Sequence, residues 1–596
     1  MSVAPEQEVG RITIGPHHDG SELYVVDRPD ELGGEATIRL RTPRGAADRV
    51  LLRYSRDGEP HTVEALVDSE DEEETWWRAT FPVVNPATRY RWLLAGGETG
   101  YGWLTGNGIY PHEVPSADDF VLGLGSGPDW HLSSVVYQIF PDRFASSGAE
   151  RAKPGWAEER AWDELPTGRG PATPREWYGG DLPGIEQHLD HIESLGANVV
   201  YLTPFFPAGS NHRYDATSFD RIDPALGGDD ALASLIRAAD ARGIKLLGDL
   251  TLNHTGKGHE WFLAAQADSH TAERGFYYFD PAVPYGYESW MGVPSLPKLD
   301  WRGDELRARM RRIIGRWLDA GLAGWRIDVA NMTGRRRALE LNHEVARLAR
   351  DAVGPALLVA EHGHDYRPDL DGTGWHGVMN YAGFLKPTWW WLRSDEIETD
   401  VFSSAPAPRY DGAELVSVMR RYRAGVPWTA VAHSWTLLDS HDTARFSTVV
   451  GRSRPLHAVG VGLSATTPGV PMIFAGDEIG LEGRWGEDAR RTMPWGDPSR
   501  WDTGLLDTYR KLMSIRRASD ALARGGIRYL HVSHDAVLYL RESRTESLLC
   551  LAARAAHDPI STPFTELETL YGEDARDGVL PADGPSFHIW RIATDG

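Results

Sequence analysis

Between residues 130 and 525 the chain repeats one unit: a short apolar run, an amphipathic run with helical spacing, and a turn. The apolar runs are VVYQIF (135–140), NVVYLTPFF (198–206), KLLGDLTLNH (245–254), GWRIDVA (324–330), ALLVAEH (356–362), GVMNYA (377–382), SWTLLDSHD (434–442) and VPMIFAGDE (470–478). Between them lie runs such as PGIEQHLDHIESLG (183–196), DALASLIRAADARG (230–243) and DELRARMRRIIGRWLDAG (304–321). In the last, Leu306, Met310, Ile313, Ile314, Trp317 and Leu318 fall on one helical stripe. Strands that are apolar on both faces and alternate with helices belong to a parallel sheet. Eight of them in βα order predict an α/β fold, a (β/α)8 barrel rather than an open sheet. The interval between the third and fourth runs is longer than its neighbours and holds irregular aromatic text (HEWF, GFYYFDPAVPYGYESW). This predicts an inserted subdomain over residues 255–300, above the barrel mouth.

The flanks follow a different pattern. Within residues 1–125, TIRLRTP (37–43), RVLLRYS (49–55), HTVEALV (61–67), TWWRATFPV (75–83) and TRYRWLLAG (88–96) are short strands bounded by Gly, Pro or Asp. They predict an N-terminal β-sandwich. GLGSGPDW (123–130) is a linker; its glycine spacing resembles a dinucleotide loop, but Pro and Asp follow it instead of an apolar helix. After the barrel at 130–525, the segment 526–596 returns to short strands (IRYLHVS, AVLYLRE, SLLCLAARA, SFHIWRI) and predicts a C-terminal antiparallel β-domain.

Composition narrows the partners. Lys and Arg number 62 against 86 Asp and Glu, a net charge of −24, which disfavours nucleic acid and anionic membrane surfaces. No run of 18 apolar residues offers a membrane span. The lone Cys550 cannot form an internal disulfide, and MSVAPEQEVGRITIGPHHDG lacks a basic start followed by an apolar core, so a cytoplasmic protein is expected. Tryptophans number 23, more than the 21 tyrosines or 16 phenylalanines. They are either structural bulk or faces on which flat ligands, sugars included, can stack. Trp290, Trp375, Trp389, Trp390, Trp391, Trp485 and Trp495 fall in text that would ring the barrel mouth, whereas Trp317 belongs to a helix stripe.

In such a barrel the polar residues at the C-terminal strand ends are the catalytic candidates. The third run holds Asp249 and ends in Asn253-His254. The fourth carries Arg326 and Asp328, two apart and on one face. The fifth ends in Glu361, and the seventh in His441-Asp442. Three carboxylates, an arginine and two histidines around one pocket point to glycoside hydrolysis, in which a retaining enzyme pairs an ionised nucleophile with a protonated acid. Arg326 is expected to keep Asp328 ionised, and the apolar neighbours of Glu361 to keep it protonated. Asp442 and the histidines would grip hydroxyls and stabilise the developing cation. A rival reading takes Glu361, His362, His364 and Asp365 as metal ligands.

DLTLNH, GWRIDVAN, VAEH and LLDSHD resemble the four signature segments of the α-amylase family, glycoside hydrolase family 13. The similarity extends through YQIFPDRFA (137–145), YGGDLPGI (178–185), HRYDATSFDRIDP (212–224), LPKLD (296–300) and GVPMIFAGDEIGLEG (469–483). The upstream β-domain is similar to that of the branch holding cyclomaltodextrinases, neopullulanases, maltogenic amylases and maltodextrin glucosidases. The resemblance implies that Asp328 is the nucleophile, Glu361 the acid/base and Asp442 the transition-state stabiliser. It places Arg326, His254 and His441 around the reacting sugar, Tyr214 under its ring and Asp249 near the site. Asp488 and Arg490 match a segment bordering the donor sugars.

Two departures bear on substrate. Neopullulanase-like members read Val-Ala-Asn-Glu after the nucleophile; here the text is Val329-Ala330-Asn331-Met332, so an acceptor-side carboxylate is missing. They carry an apolar residue and Trp after the acid/base, where this chain has His362 and Gly363. That text and MNYAGF (379–384) look more like the maltodextrin glucosidases. Loss of the Trp platform is expected to open space for a bent, cyclic or α-1,6-branched substrate. The segment SSGAERAKPGW (146–156) lacks the Asn and Asp ligands of calcium-binding relatives, so no calcium is expected there, nor any other metal or cofactor.

The resemblance implies a retaining hydrolase of α-glucosidic, mainly α-1,4, bonds in malto-oligosaccharides or cyclic maltodextrins, acting through a covalent glucosyl-enzyme. Hydrolysis of a cyclic or branched α-1,4/α-1,6 gluco-oligosaccharide and transglycosylation remain alternatives. A non-catalytic carbohydrate-binding relative is disfavoured, because all three carboxylates are retained. The N-terminal domain is expected to form a homodimer or shape the active-site rim.

Overall fold

Eight parallel strands close into a barrel in the computed structural model, which describes residue 12, residues 14–403 and residues 405–593. The start of the chain, on which the expectation of no leader rests, lies largely outside the described residues. The strands are β1 (Val136–Ile139), β2 (Val199–Leu202), β3 (Lys245–Thr251), β4 (Gly324–Asp328), β5 (Leu357–Glu361), β6 (Gly377–Met379), β7 (Trp435–Leu437) and β8 (Val470–Phe474). Each pairs with the next, and β8 returns to β1 through Val136 opposite Met472, so the sheet has no free edge. All eight are buried along almost their whole length, as continuous apolar runs require.

Several strands end sooner than their apolar runs suggest. β3 stops at Thr251 and β7 at Leu437, so Asn253, His254, His441 and Asp442 sit on the loops that leave the barrel. The run 183–196 is two short helices, Leu182–Gln187 and Leu189–Ser194, meeting at His188. Helix Asp304–Asp319 buries Leu306, Met310, Ile313, Ile314 and Trp317, while Leu318 at the margin is only partly covered. Residues 255–300 are largely irregular, with one α-helix, Glu260–Ala267, and three short 3-10 turns. Its return limb pairs beside its start, Leu299 N–H donating to the Asn253 carbonyl at 3.0 Å, which anchors the insert over the end of β3.

The N-terminal region is two facing antiparallel sheets. One orders Val25–Asp27, Glu35–Pro43, Glu74–Pro82 and Leu66–Glu70; the other is built on Glu59–Glu64, Arg49–Arg56, Ala87–Gly96, Gly100–Thr105 and Gly108–Tyr110. Alternate side chains meet between them: Ile38, Leu40 and Phe81 from the first, Val50, Leu52 and Trp92 from the second. The single strand read at 61–67 is in fact two, because the chain changes sheets at buried Ala65. The C-terminal sheet orders Gly526–Val532, Ala536–Glu542, Ser547–Ala553, Ser586–Ile592 and Leu567–Tyr571, the last too polar to announce itself in the sequence.

Most tryptophans assigned to the mouth are core. Trp375, Trp389, Trp390 and Trp391 are buried, and the Trp389 indole N–H donates to the Leu438 carbonyl at 2.6 Å. Helix Lys386–Leu392 turns Trp389, Trp390 and Trp391 inward, and the Trp391 N–H donates to the His534 carbonyl at 3.2 Å, whereas the Trp375 N–H is buried without a partner. No described helix is long and apolar enough to cross a membrane.

Candidate active site

Arg326 organises the barrel mouth. It projects from β4, and its wholly buried guanidinium meets carboxylates from three strands. Nη1 lies 3.0 Å from Asp249 Oδ2 of β3 and 3.0 Å from Asp328 Oδ1 of its own strand; Nη2 lies 3.1 Å from Glu361 Oε2 of β5. The last contact is an ion pair without hydrogen-bond alignment, since Nη2 has no aligned acceptor. Parallel register explains the convergence: Asp249 pairs across from Arg326, which pairs across from Val359, so the three strands deliver their ends to one level.

Beyond Glu361 Oε2, the Val329 N–H donates to the same oxygen at 2.7 Å. Val329 adopts φ 44°, a left-handed conformation costly for a β-branched residue, and that twist turns its N–H towards Glu361. Glu361 Oε1 and Asp328 Oδ2 are the oxygens left without a hydrogen bond, the latter 3.9 Å from His254 Nε2. Two carboxyls held on adjacent nitrogens of one guanidinium fit the close spacing of a retaining pair, about 5–5.5 Å, better than the wider gap of an inverting pair.

The other wall is built on His441. Gln138 of β1 donates from Nε2 to His441 Nδ1 at 2.8 Å and accepts the His441 backbone N–H at 3.2 Å. With Nδ1 accepting, the neutral ring carries its proton on Nε2, 2.7 Å from the Tyr214 hydroxyl and 3.1 Å from Asp442 Oδ2. Tyr214 donates onward to Asp249 at 3.0 Å, and Tyr201 donates to the same oxygen at 2.6 Å. Arg490 closes the wall, its Nη2 3.1 Å from Asp442 Oδ1 and its Nε donating to the His441 carbonyl at 2.8 Å. Tyr214 is half-buried, its ring nearly parallel to that of His441 with centroids 5.7 Å apart.

The electrostatics differ from the sequence expectation. Burial, then the Glu361 carboxylate, push the Asp328 carboxyl well above the ordinary range, and Arg326 only partly offsets them. Sequence adjacency showed the Arg326–Asp328 pair alone; the barrel adds Glu361 to the same cation, so Glu361 is not in the apolar setting its neighbours Val359 and Ala360 suggested. Asp249 is pushed up to about 6 by burial, against Arg326 and two tyrosines. His254 is pushed down to about 3 by burial and then by Lys298, and His441 is lowered by burial and by Arg490, so both rings are neutral.

On one flank His362 is buried and its Nε2 lies 3.0 Å from Asp369, which also receives the Arg335 fork at 2.8 and 2.6 Å. Only Nδ1, buried without a partner, is uncommitted. Asn331 and Met332 follow β4 in a short turn; their carbonyls accept Arg335 and Lys298. The space expected beside Gly363 is filled. A Cβ on Gly363 would lie 3.2 Å from the Phe402 ring, which arrives from the long loop after β6 and packs edge-on against Tyr381, centroids 5.0 Å apart. Asp400 fixes that ring's backbone by accepting the Phe402 N–H at 3.0 Å, and Lys386 holds Asp400 at 3.0 Å.

On the opposite flank Asp488 is paired with Arg491 at 3.2 Å and accepts the Arg484 N–H, so its carboxylate is engaged locally, unlike Arg490. The Trp485 face is covered by Arg169, 3.9 Å above the ring. The four residues of the metal reading separate: Glu361 meets Arg326, His362 meets Asp369, His364 lies edge-on to Phe402 and Asp365 meets Arg367. In the segment 146–156, Arg151 places its own cation 2.6 Å from Asp181. Gln138, Tyr201, Tyr381 and Phe402 were not foreseen as site residues. Gln138 had a signal, as the one amide in an otherwise apolar strand; Phe402, distant in sequence and in irregular text, had none.

The α-amylase catalytic-domain family model matches residues 138–524. Neopullulanase 2 of Thermoactinomyces vulgaris is 30% identical over 554 residues, 87% of this chain and 86% of that protein. Among solved structures, the cyclic α-maltosyl-(1→6)-maltose hydrolase of Arthrobacter globiformis superposes with a TM-score of 0.67 at 29% identity, covering 79% of this chain and all of that one. A cyclomaltodextrinase superposes with a TM-score of 0.73 at 26% identity, over 97% of this chain and 99% of its own.

Proposed function

The chain belongs to the α-amylase family and is a glycosidase, and on that premise we propose how its residues divide the work. It is a retaining hydrolase of α-glucosidic bonds in malto-oligosaccharides and cyclic gluco-oligosaccharides. The observation that carries the assignment of roles is the single guanidinium of Arg326 holding Asp328 and Glu361 side by side, each with one oxygen free.

Asp328 Oδ2 attacks the anomeric carbon while the glycosidic C–O bond breaks and Glu361 gives its proton to the departing oxygen. The product of this step is a glucosyl ester on Asp328 and an ionised Glu361. Glu361 then takes a proton from water, whose oxygen attacks the same carbon and releases Asp328, restoring both carboxyls and the original anomeric configuration. Anchoring of Glu361 Oε2 by Arg326 and the Val329 N–H leaves Oε1 to carry the proton. Asp442, oriented by Arg490 and His441, faces the carbon as positive charge develops, and Tyr214 lies under the ring. His254 and His441, both neutral, donate to or accept from sugar hydroxyls without adding charge.

Phe402 takes the place of the missing tryptophan as the acceptor-side platform, held one ring away from Tyr381. A second reading, preference for a cyclic or α-1,6-containing substrate, is supported by the likeness to the Arthrobacter globiformis hydrolase and by an acceptor wall built from a different loop. Product chromatography on maltotetraose, a cyclomaltodextrin, pullulan and a cyclic α-1,4/α-1,6 tetrasaccharide separates the two. Cleavage of the linear chain alone ends the second reading; retention of activity in Asp328→Asn ends the assignment of the nucleophile. Exposed Leu66 and Val67 on an edge strand support self-association through the N-terminal domain, to be tested by sedimentation of the Leu66→Lys variant.

A further inference from the structure

The three domains meet around a cavity of about 190 Å³, none of whose lining residues belongs to the candidate active site. Its walls are His17–Gly20 from the N-terminal domain, helix Gly412–Arg423 of the barrel and Ile527–Tyr529 of the C-terminal domain. The junction is fixed by ion pairs across domains: Arg41 reaches Glu542 at 2.7 Å and Arg528 reaches Glu74 at 3.0 Å. The cavity is therefore a built feature of a tied interface.

Its charge is unusual for so acidic a chain. Arg420 and Arg423 project from the same helix, three residues apart. Arg423 donates to the Tyr529 hydroxyl at 3.1 Å and makes no ion pair in direct contact among the described residues, although Asp19 across the cavity feels its charge. The half-buried Arg420 guanidinium has neither a hydrogen bond nor an ion pair among them. Other enclosed arginines engage at least part of the guanidinium, Arg326 with three carboxylates, Arg213 with Asp223, Arg445 with Asp477 and Arg516 with the Leu132 and Gly469 carbonyls, although Arg213 Nη2 and Arg516 Nε and Nη1 stay buried without a partner. The cavity's one carboxylate, Asp19, is occupied by the Ser21 and Ile527 N–H groups. Arg528 spends its guanidinium on Glu74 and the Gly15 carbonyl.

Like charges at this helical spacing repel, and a guanidinium withdrawn from water without a partner is costly. Burial and Arg423 accordingly pull Arg420 below its ordinary value, and burial with Arg528 and Arg41 holds His17 neutral. An external anion relieves both penalties. Guanidinium forks match phosphate oxygens in pairs, and the cavity is smaller than the about 300–1,000 Å³ of pockets for drug-sized ligands, which suits one anionic group rather than an oligosaccharide. We propose that this junction is a binding site for a phosphate-type oxyanion, free or borne by a small sugar ester, with Arg420 and Arg423 as its ligands.

The test is the melting temperature of the full chain in sodium phosphate, in glucose 6-phosphate and in sodium chloride at matched ionic strength. A saturable rise over chloride is expected with at least one phosphate probe, since a ligand that binds only the folded chain stabilises it. Whichever probe raises it identifies the source as the free ion or the ester. Arg420→Gln should retain maltotriose hydrolysis and lose the rise; Arg423→Gln is the second variant if the first folds poorly. Equal melting in phosphate, ester and chloride, or a rise that survives both substitutions, overturns the proposal.

Discussion

Removing the Phe402 ring tests whether a residue outside the family's signature segments sets the acceptor side. The ring touches the position of a Cβ on Gly363 at 3.2 Å and leans on Tyr381, whose hydroxyl is 2.8 Å from Ser440 beside Asp442. Phe402→Ala deletes the face that an acceptor sugar would cover. An aromatic contact of that kind is worth about 0.5–1.5 kcal/mol, so kcat/KM on maltotriose should fall about 2- to 13-fold. The rate on 4-nitrophenyl α-glucoside, which brings no acceptor sugar, should stay within about twofold. The reverse substitution sharpens the test. Gly363→Trp in the native chain must push Phe402 aside, because the added Cβ is already closer than ordinary contact, and should lower kcat/KM on maltotriose. In the Phe402→Ala background the same tryptophan gains room, and the double variant should recover activity on maltotriose relative to either single one. Initial rates on both substrates, with melting curves to confirm folding, give the full cycle. An equal loss on both substrates in Phe402→Ala, or additive losses in the double variant, would refute the reasoning.

Asp328→Asn keeps the shape of the carboxyl and removes the nucleophile, so kcat on maltotriose should fall by at least about 10⁴-fold with no fall in melting temperature. Arg151→Ala strips Asp181 of the one cation that pairs with it among the described residues while Ser147 and Gly184 N–H groups remain, and by analogy with other buried pairs costs about 1–3 kcal/mol, seen as a lower melting temperature in calorimetry with an unchanged rate at 25 °C. Acid lability follows from histidines buried away from the site: His18, His433 and His457 are each pushed down to about 3 by burial. Their folded values lie below the ordinary 6.5, so the unfolded chain takes up protons first; their contribution is whole above about pH 6.5 and is lost as pH falls, by roughly 1 kcal/mol per histidine between pH 6.5 and 5.5. A melting temperature that is flat over that interval would count against neutral burial.

The barrel and its candidate strand ends were legible because both are written locally. A buried parallel strand is an uninterrupted apolar run, and an arginine and aspartate two apart within one must share a face. What closure of the barrel adds is not local. Glu361 reaches Arg326 only because β5 pairs with β4 in register, and that places both carboxyls on one cation, which the local text did not show. The tryptophans mislead for a related reason: Trp389 to Trp391 lie in the loop region after β6 by sequence, but helix geometry turns all three inward. Phe402 is the opposite case, a residue in irregular text that the loop fold delivers to the mouth. Text around Gly363 could show that a tryptophan was missing; it could not show that the Phe402 ring lies against that position.

The charge of the mouth is itself an argument about the reaction. Among the described residues Asp249, Asp328, Glu361 and Asp442 face the cations Arg326 and Arg490, so with all four ionised two negative charges are in excess, a state that the raised Asp328 carboxyl resists until Glu361 holds a proton. Acid catalysis requires a proton on Glu361, which leaves one. The histidines do not cancel it, because burial keeps His254 and His441 neutral. A residual negative charge in a largely water-excluded pocket is unfavourable for a neutral sugar's ground state and favourable once the anomeric carbon becomes cationic. Arg326 tunes that excess: its three contacts keep the carboxylates from repelling one another out of position, while Asp442, with its partner Arg490 on the opposite wall, remains beyond its reach. A second internal cation near Asp328, such as a protonated His254, would spend the same field on the resting protein. Burial that keeps the two histidines neutral therefore leaves that field to the reacting carbon.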